Sequence, residues 1–155
     1  MNEDSLYIHS FLMHNDIPFL RYFHPACRTL KEWQGTVKKL NARCTAVFTT
    51  FACCEEQGRF ILKLSASASE QAFPPQEREQ AVLESLRCRA ENFCTLSPLS
   101  LVFDQAHRCC LSVEQSLRTE QRLCFPCADA TESVVLNTSD FLGRFIPAAG
   151  IALVD

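Results

Sequence analysis

An α+β domain, with a mixed, largely antiparallel sheet and helices packed around it, is the fold class this sequence predicts. Three observations carry that expectation. Short β-branched and aromatic runs recur along the chain. Capped, periodic helix signals stand near the start, in the first third and at the end. The resulting order, α-β-α-β-β-α-β-β-β-β-β-α, lacks the regular strand–helix alternation of a doubly wound parallel sheet. The chain has 155 residues, 47% of them hydrophobic and 21% charged, which suits one domain with a substantial core.

The elements follow from local chemistry. Ser5 to Asn15 predicts a short amphipathic helix carrying Leu6, Phe11 and Leu12, closed by the turn-forming pair Asn15-Asp16. Ile17 to Phe23 predicts a strand that ends at His24-Pro25, because a residue before proline is pushed out of the helical region. Thr29-Leu30-Lys31-Glu32 has the spacing of a capping box, so a helix is expected over Leu30 to Leu40 with Leu30, Trp33, Val37 and Leu40 on its apolar face. Thr45 to Phe51 and Arg59 to Ala66 predict a β-hairpin around Glu55-Glu56-Gln57-Gly58. Pro74-Pro75 opens a polar helix reaching about Ala90, since proline is tolerated in a first turn. Strands are expected at Phe93 to Ser97, Leu99 to Phe103, Arg108 to Val113, Arg122 to Phe125 and Ser133 to Asn137. A last helix starts at Thr138-Ser139-Asp140 and stops before Pro147.

Composition narrows the function classes. There is no apolar run long enough to span a bilayer, and the acidic start Met1-Asn2-Glu3-Asp4 is unlike a secretory leader, so neither a membrane protein nor an exported one is expected. The net charge of −3 and the modest clusters Lys38, Lys39, Arg43 and Arg87, Arg89 argue against tight, sequence-independent binding to a nucleic-acid backbone. Weak engagement of a single-stranded end is compatible with them, through aromatic stacking by Phe23, Trp33 or Phe93, residues that a core would equally employ. The dinucleotide, P-loop, zinc-protease and serine-hydrolase motifs are all absent from the sequence.

Ten cysteines are the compositional oddity. Without an export signal they read as reduced, cytosolic thiols, mostly buried as small hydrophobes within runs such as Cys109-Cys110-Leu111. Cys124-Phe125-Pro126-Cys127 is a CxxC that, with Cys109-Cys110 or Cys53-Cys54, offers four thiolates to zinc, and its proline also suits a redox pair. A single CxxC leading toward a further strand fits structural thiols better than either. His9, His14 and His107 read as surface or boundary residues.

Three blocks in order carry a family resemblance. They are Ile17-Pro18-Phe19 through Phe23-His24-Pro25-Ala26-Cys27-Arg28-Thr29 to Glu32; Thr95-Leu96-Ser97-Pro98-Leu99-Ser100-Leu101; and Leu123 to Phe145, with Phe125-Pro126 and Ser133-Val134-Val135-Leu136-Asn137-Thr138-Ser139-Asp140. Together they resemble the YbaK-like aminoacyl-tRNA deacylases, the group that includes the editing insertion of bacterial prolyl-tRNA synthetases. The resemblance implies a barrel-like mixed sheet surrounded by helices, and a cytoplasmic, cofactor-free ester hydrolase that clears a small wrong amino acid from tRNA. Such clearance is needed because a synthetase separates near-isosteric amino acids by only about 1–3 kcal/mol per methylene. The implied partner is the aminoacyl-tRNA acceptor end, with an aminoacyl-tRNA synthetase as a second partner.

By the same resemblance the pocket comprises Thr45, Cys94 and Ser97 as catalytic positions, with His24, Arg43, Pro98, Phe125 and Asp129 contacting substrate. The chain departs from the family at several of them. Thr45 stands where a lysine is typical, Arg43 being the nearest cation; Cys94 stands for the glycine that opens the Ser-Pro loop; Phe125-Pro126 and Asp129 stand for a His-Pro pair and an Asn. A phenyl ring neither donates nor accepts a proton, and loss of a positioned acid or base costs about 10²–10⁴ in rate. Two readings therefore stand side by side: an editing enzyme relying on loop amides, water and substrate groups, with direct participation of the Cys94 thiol as a variant, or a non-catalytic module of the same fold that binds tRNA or a protein. His24 equally serves as a strand terminator.

Overall fold

The computed structural model describes residues 3–40, 44–56, 59–65, 95–103, 109–127 and 131–154. The polar helix expected over 74–90 lies outside them, as do Arg43, Cys94, Asp129, Phe93 and His107.

Helix α1 (Glu3–His14) buries Ser5, Ile8, His9 and Leu12, a stripe at helical spacing, and leaves Leu6 exposed. Its end is a Schellman arrangement: the Ile17 amide donates to Leu12 O, the Asp16 amide to Met13 O, and Asp16 takes the left-handed conformation, φ 55°. Ile17 and Leu12 are both buried, supplying the apolar contact that accompanies the motif. A side chain in the left-handed region costs free energy that glycine does not, so Asp16→Gly is expected to raise stability by about 0.5–1 kcal/mol, read as a higher urea midpoint at unchanged slope.

After β1 (Leu20–Phe23) comes α2 (Leu30–Leu40), whose bounds are those predicted. Thr29 Oγ1 accepts the Glu32 amide at 3.1 Å, and Glu32 Oε2 reaches back to the Arg28 amide at 2.9 Å, one residue beyond the usual capping-box partner. Trp33 and Val37 are buried; Leu40, expected on the same face, is exposed.

The predicted hairpin is present but begins differently. β2 (Cys44–Ala46) and β3 (Phe48–Glu56) form one run that changes sheets at Val47, and β3 pairs with β4 (Arg59–Ser65). β5 (Thr95–Leu96) is followed by a 3₁₀ helix, Pro98–Phe103, where a strand is expected over Leu99 to Phe103. Pro98 fixes φ and removes a ladder donor, while Leu99, Leu101 and Val102 are all buried, a spacing that strict alternation does not give. β6 (Cys109–Val113), α3 (Gln115–Arg118), β7 (Arg122–Pro126) and β8 (Glu132–Asn137) follow.

The final helix, α4, spans 138–148 and passes through Pro147 rather than stopping before it. A π-helical turn, Phe141–Phe145, makes this possible: the Ile146 amide bonds Phe141 O, five residues back, so the ladder is already widened where proline lacks its donor. Gly150, φ 75°, then closes the helix, with Ile151 N–H donating to Ile146 O and Gly150 N–H to Pro147 O. β9 (Ala152–Val154) ends the described chain.

The strands form a four-stranded sheet, β1-β8-β7-β2, and a five-stranded sheet, β5-β3-β4-β6-β9. Among the described residues both sheets are open, so the expected barrel-like closure is not found. β2–β7, β4–β6 and β6–β9 are parallel; β1–β8, β7–β8, β3–β4 and β3–β5 are antiparallel. The domain is thus α+β with mixed sheets, antiparallel in four of the seven strand pairings among the described residues.

The two central strands of the four-stranded sheet, β7 and β8, are buried on both faces. Leu123 and Phe125 of β7 and Val134 and Leu136 of β8 face the main core, which includes Ile8, Leu12, Leu99 and Phe141. The alternate residues Cys124 and Val135 face a second cluster with Trp33 and Val37 of α2. Period-two alternation with apolar groups on both sides is why Ser133-Val134-Val135-Leu136 reads as an unbroken run. Among the described residues no helix is long and apolar enough to cross a membrane.

Candidate functional site

The three blocks of the resemblance meet on the β7–β8 ladder. Ser97 is fully buried between β5 and the 3₁₀ helix, and its hydroxyl donates to Pro126 O at 2.5 Å, which fastens the second block to the third. Pro98 is buried beside it. Thr45 is partly exposed on β2, in register with Leu123, two residues before Phe125. Phe125 is fully buried, its ring 4.8 Å from that of Phe141, which stacks on Phe145 at 5.3 Å. Phe125 is therefore part of the core and presents no surface to a substrate.

His24 joins the first block to the third. Its amide continues the β1 edge by donating to Thr131 O at 2.9 Å. Its ring is buried, with Nδ1 3.0 Å from Pro25 O and Nε2 2.8 Å from Ser133 Oγ. A carbonyl only accepts, so Nδ1 carries the proton and Nε2 accepts from the Ser133 hydroxyl. Trp33 Nε1–H donates to the same Ser133 oxygen at 2.9 Å. A serine beside a histidine has the outline of an activated nucleophile. Here the hydroxyl is fully buried, gives its one proton to His24 and accepts from Trp33, so the group ties β1, α2 and β8 together instead. Trp33, considered above as a base-stacking residue, is buried in this network; Phe23 is 65% exposed, with the Arg21 guanidinium 5.0 Å over its ring. Ser133→Ala leaves the indole N–H and His24 Nε2 without their shared partner, and is expected to cost about 1–3 kcal/mol by urea denaturation.

The thiols divide by face. Cys124 and Cys127 are three residues apart at the end of a strand, an odd separation that sends their side chains to opposite faces of the sheet. Cys124 accordingly packs with Cys27, Trp33 and Val37, whereas Cys127 belongs to the main core. The CxxC therefore forms no two-thiol chelate or redox pair. Cys27, Cys44, Cys110, Cys124 and Cys127 are in no disulfide. Burial first, and the neighbouring Cys44 thiol second, push Cys124 far up; burial also raises Cys44, against the pull of Arg122. Both thus stay protonated near neutral pH and are poor nucleophiles.

On the main-core side lies a charged group that the sequence does not announce. Glu132, 2% exposed, receives Arg21 Nε at 2.7 Å, and His9 Nε2 lies 2.7 Å from the same carboxylate oxygen. The His9 contact is close but lacks the alignment of a hydrogen bond. His9, expected at the surface or its boundary, is buried against Phe19, the rings parallel within 3° at 5.8 Å. Burial is the main cause lowering its pKa, with the Glu132 charge opposing. The only sequence signal is its place in the stripe Ser5, Ile8, His9, Leu12.

The chain matches no family model and no curated protein.

Proposed function

We propose that this chain is a cytoplasmic, trans-acting aminoacyl-tRNA editing domain of the YbaK-like type, hydrolysing the ester of a small mischarged amino acid. The observation that carries the reading is the Ser97–Pro126 hydrogen bond, which brings the Ser-Pro loop onto the strand bearing Phe125 and Thr45's partner Leu123. These are the positions from which the resemblance builds its pocket. With the Ser97 hydroxyl committed to a carbonyl, Ser97 positions the loop, and the chemistry falls to backbone amides and bound water at an already reactive ester. The exposed Phe23 with Arg21 above it offers an unpaired base a stacking platform.

The burial of Phe125, where the family pattern has a histidine, favours a second reading, a non-catalytic module of this fold that holds an acceptor end or docks on a synthetase. One experiment separates them. Alanyl, seryl, cysteinyl and threonyl esters on cognate and non-cognate tRNAs are incubated with the chain at low salt, beside Cys94→Ala and Ser97→Ala. Turnover above the spontaneous rate, lowered in the variants, is the expected result. No turnover on any ester by the folded protein overturns the enzyme reading; retained binding of an acceptor-stem RNA, weakened by Phe23→Ala, then establishes the second.

A further inference from the structure

His9 on α1, Cys127 at the end of β7 and Glu132 at the start of β8 bring an imidazole nitrogen, a thiol sulfur and a carboxylate oxygen within 4.8 Å of one another. All three residues are buried, at 6%, 1% and 2% exposure. The placement follows from the fold. The Cys127 amide donates to Glu132 O, making the two residues cross-strand neighbours whose side chains share a face. α1 lays its buried stripe across that face and adds His9.

We propose that these three side chains form a binding site for a divalent transition-metal ion of the zinc class. Nitrogen, sulfur and oxygen donors together suit zinc and its neighbours and not a hard ion such as magnesium or calcium. Around a tetrahedral ion, with bonds of about 2.0–2.3 Å, donor atoms stand roughly 3.3–3.7 Å apart. The present cluster therefore closes onto an ion with small shifts, His9 and Glu132 easing apart and Cys127 moving in. His9 Nε2 is the independent sign: it faces the Glu132 carboxylate oxygen at 2.7 Å without the alignment of a hydrogen bond, and a metal ion between the two satisfies both. The Phe19 ring fixes the imidazole plane, and Arg21 holds the Glu132 carboxylate as an outer partner. Binding releases the Cys127 thiol proton to solvent, so a thiolate and a carboxylate meet the two charges of the ion. The site is enclosed, and its effect is to fasten α1 to the β7–β8 connection. It is independent of the editing reading.

The test uses the full chain, reduced and freed of metal with a chelator, and titrated with Co²⁺ as an optical probe for zinc. The expected result is one tight equivalent giving a thiolate-to-cobalt charge-transfer band, displaced by Zn²⁺ and unchanged in Cys124→Ser, whose thiol lies on the other face. Cys127→Ser loses the band, and His9→Gln weakens binding by about ten-fold or more, a loss that even outer partners of metal sites produce. A full band in Cys127→Ser, or no Co²⁺ bound by the wild type, overturns the site. Because a variant in this buried cluster can fail to fold, zinc X-ray absorption on the wild-type chain is the second measurement. One sulfur with nitrogen and oxygen donors is expected; two or more sulfurs put the ion on other cysteines and overturn the proposal.

Discussion

Phe125→His, the substitution that restores the residue type of the resembled family, lowers the free energy of unfolding by about 3–5 kcal/mol and yields no gain in ester hydrolysis. The position dictates both outcomes. Phe125 is wholly enclosed, and its ring is the first in a series of contacts with Phe141, Phe145 and, edge-on at 5.7 Å, Phe11 of α1. An imidazole there loses packing contacts and buries two ring nitrogens among carbon atoms. Urea denaturation reads the stability, and the aminoacyl-ester assay reads the chemistry. A folded variant of wild-type stability with new turnover would show that the side chain at 125 reaches a pocket after all.

Arg21→Met costs about 3 kcal/mol in metal-free protein. Glu132 is 2% exposed and Arg21 30%, so removing the guanidinium leaves the carboxylate in the core with only the His9 imidazole beside it, whereas the arginine itself keeps some water. The second substitution Glu132→Leu, made on top of Arg21→Met, recovers most of the loss, because two apolar groups need no partner. A double-mutant cycle by chemical denaturation measures the coupling. A cost below about 1 kcal/mol, the range of exposed ion pairs, would mean that water reaches Glu132.

What was legible in the sequence is what local chemistry decides. Thr29 and Glu32 set the start of α2, Asn15-Asp16 the end of α1, and the short apolar runs at 109–113, 122–126 and 132–137 their strands. Where two local solutions fit one short apolar stretch, tertiary context chose: Leu99 to Phe103 became a 3₁₀ helix, and Pro147 was carried inside a helix by a π turn that no composition marks. The opposite facing of Cys124 and Cys127 was available from strand parity alone. The partners of His24, Ser97 and His9 were not, since Ser133, Pro126 and Glu132 lie 109, 29 and 123 positions further along the chain. Only the sheet order brings them together.

The change of sheets at Val47 has a mechanical consequence. Val47 is fully buried, and its amide bonds Cys124 O, so it is clamped where one run of backbone leaves the edge of the four-stranded sheet and enters the interior of the five-stranded one. A pull on either sheet is transmitted through this covalent bridge with almost no slack. Peeling β2 away stops at the clamp until the core around it gives, and because that core draws on both sheets they are expected to melt as one cooperative unit.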